Sequence, residues 1–382
     1  MTEPLRIIHL LRGAQGGSFR HLCDLAAEQA ARGHQVGIVA SAGVGGAATD
    51  AALAALEPVC ALGVHRLAME RSLGWSDLSA VRSIRRVLQA THPDIVHGHG
   101  AKGAAYARLV ARGAGARSIY TPHGGSLHYS WGSPAGVVYL TLERVLKRRT
   151  DGLIFASDHS RRTYEEKLGP PTCPWRVIHN GLHDQEFEPV PRGAEEYDFV
   201  FVGEIRRLKG IDVLLDAVAE LAADREFSVL MVGAGPDEAR LRDRVRELGL
   251  ESTVILSPPI HPARHAFAIA RCVVMPSLAE SLPYIILEVL ASRVPLLATR
   301  VGGIPEIFGP HTDSLLPAGD SHVLAAAMAT FLDDPGPALE EAALLHGHVK
   351  RQVRVPQMAD ATLELYRTVL ETGNHAPAAT TR

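Results

Sequence analysis

The chain has 382 residues, 46% of them hydrophobic and 21% charged, with a formal net charge of −3. That length exceeds one ordinary core and favours two domains, and with no window near eighteen uninterrupted apolar residues no membrane-spanning helix is expected. Four scattered cysteines (Cys23, Cys60, Cys173, Cys272) without a C-x-x-C pair argue against a disulfide frame or a zinc cage.

The first residues, MTEPLRIIHLL, lack a basic segment, an apolar core and a cleavage site. They read as a first strand and not a signal peptide, so the cytoplasm is the expected compartment. Charge is uneven: residues 1–190 hold 21 Lys and Arg against 16 Asp and Glu, and residues 191–382 hold 18 against 26. The basic excess peaks in residues 101–150, where Glu143 is the lone acid. Nucleic acid is the first reading of such a stripe, but no RNA or DNA module accompanies it and aromatics are only 5%, so no nucleic-acid partner is expected. An anionic membrane surface or a phosphorylated acceptor suits it better.

Taken in order, residues 6–11 form a buried parallel strand, followed by a glycine turn over 13–17. Ser18 is placed to cap a helix over 19–31 that Gly33 ends, and a second strand follows at 35–40. Strand, glycine loop, helix and strand open a doubly wound α/β domain. The loop is not G-x-G-x-x-G and no acid ends the second strand, which argues against a dinucleotide. The strand at 94–97 runs into His97-Gly98-His99-Gly100, and Lys102 opens a helix. His97 and His99 face one side of a strand, as a metal pair would, but no third ligand stands at metal-site spacing, so no metal is expected. Another strand, 118–122, leads to His123-Gly124-Gly125. Residues 137–149 carry apolar side chains at 137, 138, 142, 145 and 146 with Arg144, Lys147 and Arg148 near the end. That stripe suits either a core helix with a solvated basic end or contact with an anionic membrane. Strands at 153–157 and 176–178 close the half, and a linker over 182–196 contains Pro189 and Pro191.

The second half restarts the pattern. A strand at 199–203 and the charged loop of Glu204 to Lys209 lead into a helix over 211–223. Strands at 227–232 and 254–256 flank a charged helix opened by Gly233-Ala234-Gly235-Pro236. A β-branched run at 272–274 ends at Pro276, a polar loop follows, and a helix begins near Pro283, proline being suited to a first turn. Glu280 then lies in the loop and Glu288 one to two turns into the helix. The helix's free N–H groups attract an anion and the two acids suit hydroxyls; a nucleotide sugar offers both. A strand at 295–299, the run Val301-Gly302-Gly303-Ile304-Pro305-Glu306 and two helical runs follow. Residues 357–372 are amphipathic, and the tail from Gly373 is expected to be disordered.

The 276–288 segment resembles the E-x7-E signature of the family-4 retaining glycosyltransferases of the GT-B type, P-S-x-x-E-G-x-P-x-x-x-x-E. Pro276, Ser277, Glu280, Pro283 and Glu288 match it, and Ser281 departs where glycine is usual. The resemblance implies an α/β fold of two facing Rossmann-like doubly wound domains. These would be an acceptor-side domain over 1–185, a nucleotide-sugar domain over 186–355, a helix over 356–372 crossing back to the first, and a tail over 373–382. It implies that Glu280 contacts donor-sugar hydroxyls and Glu288 the ribose, with Ser281, Leu282 and Pro283 at the helix start. Gly16, Gly17 and Arg20 match a Gly-Gly pair where acceptor and donor phosphates come close. His97, His99 and Lys102 fall on the acceptor side, and Thr121-Pro122-His123-Gly124 matches a T-x-H-G pattern that sets the histidine beside the reacting sugar. Where such proteins read G-R-L-x-x-x-K-G, this chain has Glu204 at the arginine place, leaving Arg206 and Lys209 to clamp the donor diphosphate. Gly302 and Gly303 match a G-G-x-P-E turn that passes the phosphates. The stretch ending at Ile260 stands where the base is held, with Pro258 for a frequent glycine.

The implied activity is a retaining, metal-independent transfer from a nucleoside-diphosphate sugar used as co-substrate, with no cofactor. A UDP-sugar is favoured and a GDP-sugar stays open. The acceptor would be a saccharide or a lipid-linked one in bacterial cell-surface polysaccharide or glycolipid synthesis. His123, Glu280, Arg206 and Lys209 are the candidate catalytic groups. No nucleophile stands out on the sugar's β-face, so the resemblance implies front-face attack with a leaving phosphate oxygen taking the acceptor's proton. Two alternatives stay open: a UDP-sugar epimerase or hydrolase of the same fold, and a sugar-nucleotide-binding subunit without turnover.

Overall fold

A computed structural model describes residues 3–191 and 196–374, so the linker expectation over 192–195 and the tail expectation over 375–382 lie outside the described residues. The chain divides into two compact units, one reaching to Gly181 and resuming at Val355, the other spanning Leu182–Arg354.

The first unit alternates strand and helix: β1 (Arg6–Leu11), α1 (Gly16–Ala31), β2 (Gln35–Ser41), α2 (Gly46–Leu56), β3 (Val64–Leu67), α3 (Ser76–Thr91), β4 (Ile95–His99), α4 (Gly100–Val110), β5 (Arg117–Thr121), α5 (Pro134–Lys147), β6 (Gly152–Phe155), α6 (Asp158–Leu168) and β7 (Trp175–Val177). Its strands pair in parallel in the order β3-β2-β1-β4-β5-β6-β7. Runs such as Ile7-Ile8 and Ile38-Val39 are apolar on both faces because helices cover both sides of a parallel sheet. Ile8, Leu10 and Val96 pack under α3 and α4 through Ile84, Leu88 and Val110. On the other face Ile7, Ile95 and Ile119 meet Leu25 of α1 and a helix from the chain's far end.

The second unit contains β8 (Tyr197–Val202), α7 (Ile211–Ala222), β9 (Val229–Val232), α8 (Glu238–Glu247), β10 (Val254–Ser257), α9 (Arg264–Ala268), β11 (Ala270–Met275), α10 (Tyr284–Ala291), β12 (Leu296–Ala298), α11 (Ile304–Phe308), α12 (Ser321–Asp333) and α13 (Gly336–Gln352). Its parallel sheet runs β10-β9-β8-β11-β12. The last helix, α14 (Val355–Asn374), rejoins the first unit and buries Met358, Ala359, Leu363 and Tyr366 there.

The start of α1 differs from the sequence pattern. Helix α1 starts at Gly16, with Gln15 before it and Ser18 inside the first turn. Gly16 takes φ 66°, a left-handed conformation open to glycine, so the chain turns into the helix before it reaches the serine.

Strand order reverses between β1 and β4 in one sheet and between β8 and β11 in the other. Ligands of doubly wound sheets bind beyond the carboxyl ends of the strands at such a switch point. At the first switch point Gly16 opens α1, His99 ends β4 and Lys102 lies in the first turn of α4; the loops after β8 and β11 carry Arg206, Lys209 and Glu280. Among the described residues no helix is long and apolar enough to cross a membrane.

Candidate active site

In the second unit the loops after β8 and β11 are knitted together around Glu280. Lys209 donates from Nζ to Glu280 Oε1 at 2.6 Å, and Ser277 donates from Oγ to the same oxygen at 2.9 Å. Ser277 is itself fixed, because Thr299 donates to its carbonyl at 2.6 Å. The Lys209 side chain is 22% exposed and that of Glu280 9%, so the pair sits mostly out of water, where a charge needs a partner.

Backbone proximity explains two glycines. Gly210 has φ 72°, and a Cβ there would lie 1.8 Å from the Pro276 carbonyl oxygen. Gly302 has φ 58°, and its Cβ would lie 1.9 Å from the Glu280 carbonyl oxygen. The Leu278 N–H donates to Leu208 O at 2.9 Å and the Gly303 N–H to Ser281 O at 2.8 Å. The G-G-x-P-E turn therefore braces the Glu280 loop directly.

Helix α10 begins at Tyr284 with Pro283 as its cap residue and no side chain bonded there. Leu282 and Pro283 are buried, and half-buried Glu288 is the fifth residue of the helix. The Ser281 hydroxyl is buried without a hydrogen-bond partner among the described residues. Arg206 lies on the outside: its guanidinium stands 4.0 Å from the Glu204 carboxylate, with both side chains about half exposed. Such a pair is worth less than about 1 kcal/mol, whereas Lys209 is held by a carboxylate mostly out of water. Ile260 lies in the loop after β10, an edge strand separated from β11 by β9 and β8.

In the first unit five histidines gather on the α1 and α14 side of the sheet. His9 of β1 is in register with His97 of β4, and the His97 and His99 rings lie 4.0 Å apart between centroids. His9 Nε2 is 2.8 Å from Gln29 Oε1 and its Nδ1 is 3.0 Å from His99 Nε2. His99 Nδ1 is in turn 3.1 Å from His123 Nε2. His97 is held by the Tyr366 hydroxyl at 2.6 Å and the Thr121 hydroxyl at 2.7 Å, and His21 Nδ1 lies 3.1 Å from Asn180 Oδ1. Burial, the largest cause in each case, lowers all five from the ordinary histidine value, His9 and His21 to about 4. The cluster is thus a set of neutral imidazoles at neutral pH.

His123 takes φ 49° and is followed by Gly124 and Gly125, also left-handed. The turn is held from beneath by Glu143, which accepts from Ser126 Oγ at 2.8 Å, Arg108 Nη1 at 2.8 Å and Tyr120 OH at 3.2 Å.

The remaining acceptor-side residues go elsewhere. Lys102 donates to the carbonyls of Glu70 and Ser72 at 2.7 and 2.6 Å and pairs with Asp77 at 2.7 Å, anchoring the loop after β3. Arg20 pairs with Asp24 one turn along α1 at 3.3 Å. Gly16 and Gly17 open α1, and a Cβ at Gly16 would meet nothing within 4 Å. His9, His21, Gln29 and Tyr366 are absent from the sequence motifs; period-two alternation in β1 is the one signal that sets His9 on the same face as His97.

Two doubly wound parallel sheets, with glycine-lined loops at the switch points and an ion pair before a helix start, define a glycosyltransferase of the GT-B class. Residues 15–186 match the family model described as Glycosyltransferase Family 4, and residues 196–334 that described as Glycosyl transferases group 1. The chain belongs to the family-4 glycosyltransferases. It is 30% identical over 268 residues to the D-inositol 3-phosphate glycosyltransferase of Kineococcus radiotolerans, covering 60% of each chain. It is 29% identical over 245 residues to the 2-deoxystreptamine glucosyltransferase of Streptomyces kanamyceticus, covering 60% of this chain and 63% of that one. The match thus spans about three fifths of the length of these two relatives. Among solved structures, HepE of Anabaena in complex with UDP superimposes with a TM-score of 0.78 at 19% identity, covering 95% of this chain and all of that one. Sucrose-phosphate synthase of Thermosynechococcus elongatus gives 0.79 at 20% identity over 96% of this chain. These likenesses carry the fold.

Proposed function

We propose that the chain transfers a sugar from a nucleoside-diphosphate donor, a UDP-sugar in first place, to a saccharide or lipid-linked acceptor in glycan synthesis, with retention and without a metal in the reaction. The observation that carries this reading is the Lys209–Glu280 pair, held at the β8/β11 switch point beside the braced Gly302-Gly303 turn and the start of α10. Glu280 would accept from sugar hydroxyls, Glu288 from the ribose, and Lys209 would turn to the diphosphate, with Arg206 swinging in from the outside. Ile260 would line the base. HepE, of similar fold, is described in complex with UDP, which supports the choice of base.

The acceptor oxygen would form its bond to the anomeric carbon on the face the diphosphate leaves. The electron pair of the breaking C–O bond goes to the leaving phosphate oxygen, which takes the acceptor's proton. A fixed cation aimed at that charge in a water-poor site is worth roughly 3–4 kcal/mol. His123, neutral and held by its turn, would serve the sugar's hydroxyls. Incubation with labelled UDP-sugars and candidate acceptors tests the reading, with acceptor-dependent product expected. Free sugar released without any acceptor would indicate a hydrolase or epimerase instead.

A second reading concerns α5. Of its apolar stripe, Val137, Val138, Leu142 and Val145 are 47, 50, 40 and 63% exposed, and Arg144, Arg148 and Arg149 are exposed beside them. An apolar face rimmed by cations suits the surface of an anionic membrane. Sedimentation with phosphatidylglycerol vesicles, but not with phosphatidylcholine vesicles, is the expected result; Val145→Asp should release the protein.

A further inference from the structure

We propose that His21, His99 and His123 form a three-nitrogen site for a divalent transition ion of the zinc class. One ring nitrogen from each lies within 4.8 Å of the others. His99 Nδ1 and His123 Nε2 are 3.1 Å apart. Two nitrogens about 2.0–2.1 Å from one tetrahedral ion stand roughly 3.3 Å apart, so the pair is already near the required spacing. The third nitrogen is Nε2 of His21, which is buried and has no hydrogen-bond partner among the described residues.

The outer nitrogens of His21 and His99 are arranged as those of metal-bound histidines are, each occupied by a group that fixes the ring and its tautomer. His21 Nδ1 faces the Asn180 oxygen at 3.1 Å, so donation there leaves its Nε2 lone pair bare. Gln29 Oε1 accepts from His9 Nε2, which makes His9 Nδ1 an acceptor for the N–H of His99 Nε2. His99 Nδ1 is then the lone-pair side, turned toward His123. An ion entering here replaces a single hydrogen bond, between His99 and His123, and the neutral His123 ring changes tautomer, its one N–H moving from Nε2 to Nδ1 with no net proton released.

The neighbouring trio of His9, His97 and His99 also brings nitrogens within 4.8 Å, but it is already satisfied. Both nitrogens of His97 are taken by Tyr366 and Thr121, and both of His9 by Gln29 and His99. An ion there would have to break several bonds. Imidazole nitrogens favour zinc, copper, nickel or cobalt over magnesium or calcium, and three of them leave a fourth position open. On the proposed reading of His123, its engagement by an ion and its use at a sugar exclude each other. The ion is thus an inhibitor of transfer and not a cofactor.

Equilibrium dialysis of the full, untagged chain against Zn2+ should find one tightly held ion, and Co2+ should give the visible bands of a four- or five-coordinate centre. His21→Asn and His99→Asn should each weaken binding at least tenfold, and His97→Asn should leave it in place. Asn180→Leu removes no ligand and should weaken binding about 10- to 100-fold by freeing the His21 ring. It decides the matter even where a ligand variant fails to fold. No stoichiometric ion, undiminished binding in folded His21→Asn and Asn180→Leu chains, or dependence on His97 in place of His21 would overturn the site. These readouts are of binding, so a chain that takes up zinc yet transfers no sugar defeats the proposed function and leaves this site standing.

Discussion

Lys209 and Glu280 stand 71 positions apart in the chain and meet at 2.6 Å, through the one carboxylate oxygen that Ser277 also addresses. On the proposed reading a donor entering this site divides the pair, the ammonium turning to phosphate and the carboxylate to hydroxyls. Lys209 then exchanges one charged partner for another and Glu280 exchanges its ammonium for hydroxyl donors, so neither is left without a hydrogen bond.

Removing either member should lower kcat/KM a hundredfold or more, as loss of a fixed charge from such a site does. Lys209→Ala and Glu280→Ala should both remain folded by circular dichroism. Lys209→Arg should not restore transfer, because a planar guanidinium does not fit the place of a compact ammonium. Near-normal turnover in either alanine variant would remove the pair from the mechanism.

Gly302→Ala tests the brace. Its Cβ would lie 1.9 Å from the Glu280 carbonyl oxygen at a φ of 58°, so the Glu280 loop must shift. Transfer should fall about as far as in Glu280→Ala, with a measurable loss of melting temperature, although the alanine itself touches no substrate.

Ser281→Gly restores the residue usual in the motif. The buried hydroxyl has no hydrogen-bond partner among the described residues, so its removal should change stability by less than about 1 kcal/mol. If the donor supplies the missing partner, one hydrogen bond of roughly 0.5–1.5 kcal/mol is lost and the donor KM rises about two- to tenfold. An unchanged KM would show that the hydroxyl does not meet the donor.

Arg108 and Glu143 form a buried pair at 2.8 Å beneath the His123 turn, with side chains 1% and 5% exposed. Glu143→Leu strands the guanidinium and should destabilise by about 3–5 kcal/mol. For a unit of this size that is a drop of roughly 6–20 °C in its melting transition. Arg108→Met combined with Glu143→Leu should be less destabilised than either single variant, because no uncompensated charge remains. Calorimetry of the three variants checks both statements.

The E-x7-E segment was legible because its chemistry is contiguous: a strand end, a loop acid and a helix start follow one another within fourteen residues. Lys209 was legible through a motif of its own. The histidine cluster was not, because His9, His21, His99 and His123 come from β1, α1, β4 and the turn after β5: register sets His9 beside β4, and the packing of α1 and of the turn brings in His21 and His123. Lys102 shows the opposite failure. It stands at the right strand end, but two carbonyls from the loop after β3 and Asp77 in the first turn of α3 take its ammonium. The stripe on α5 has the same period whether it faces a core or solvent, and only packing shows four of its five apolar positions outward. The lone acid in the basic stretch, Glu143, is not a surface charge at all but the buried partner of Arg108.

The most direct measurement is thermal unfolding of the intact chain and of Lys209→Ala in a series of UDP-, GDP- and ADP-sugars. A ligand bound only by the native form stabilises it, by about 2.7 kcal/mol at a hundred times its Kd. One sugar nucleotide should raise the melting temperature of the native chain and leave Lys209→Ala nearly unmoved. Equal protection of both proteins, or protection by none of the sugar nucleotides, would contradict a donor site built on Lys209 and Glu280.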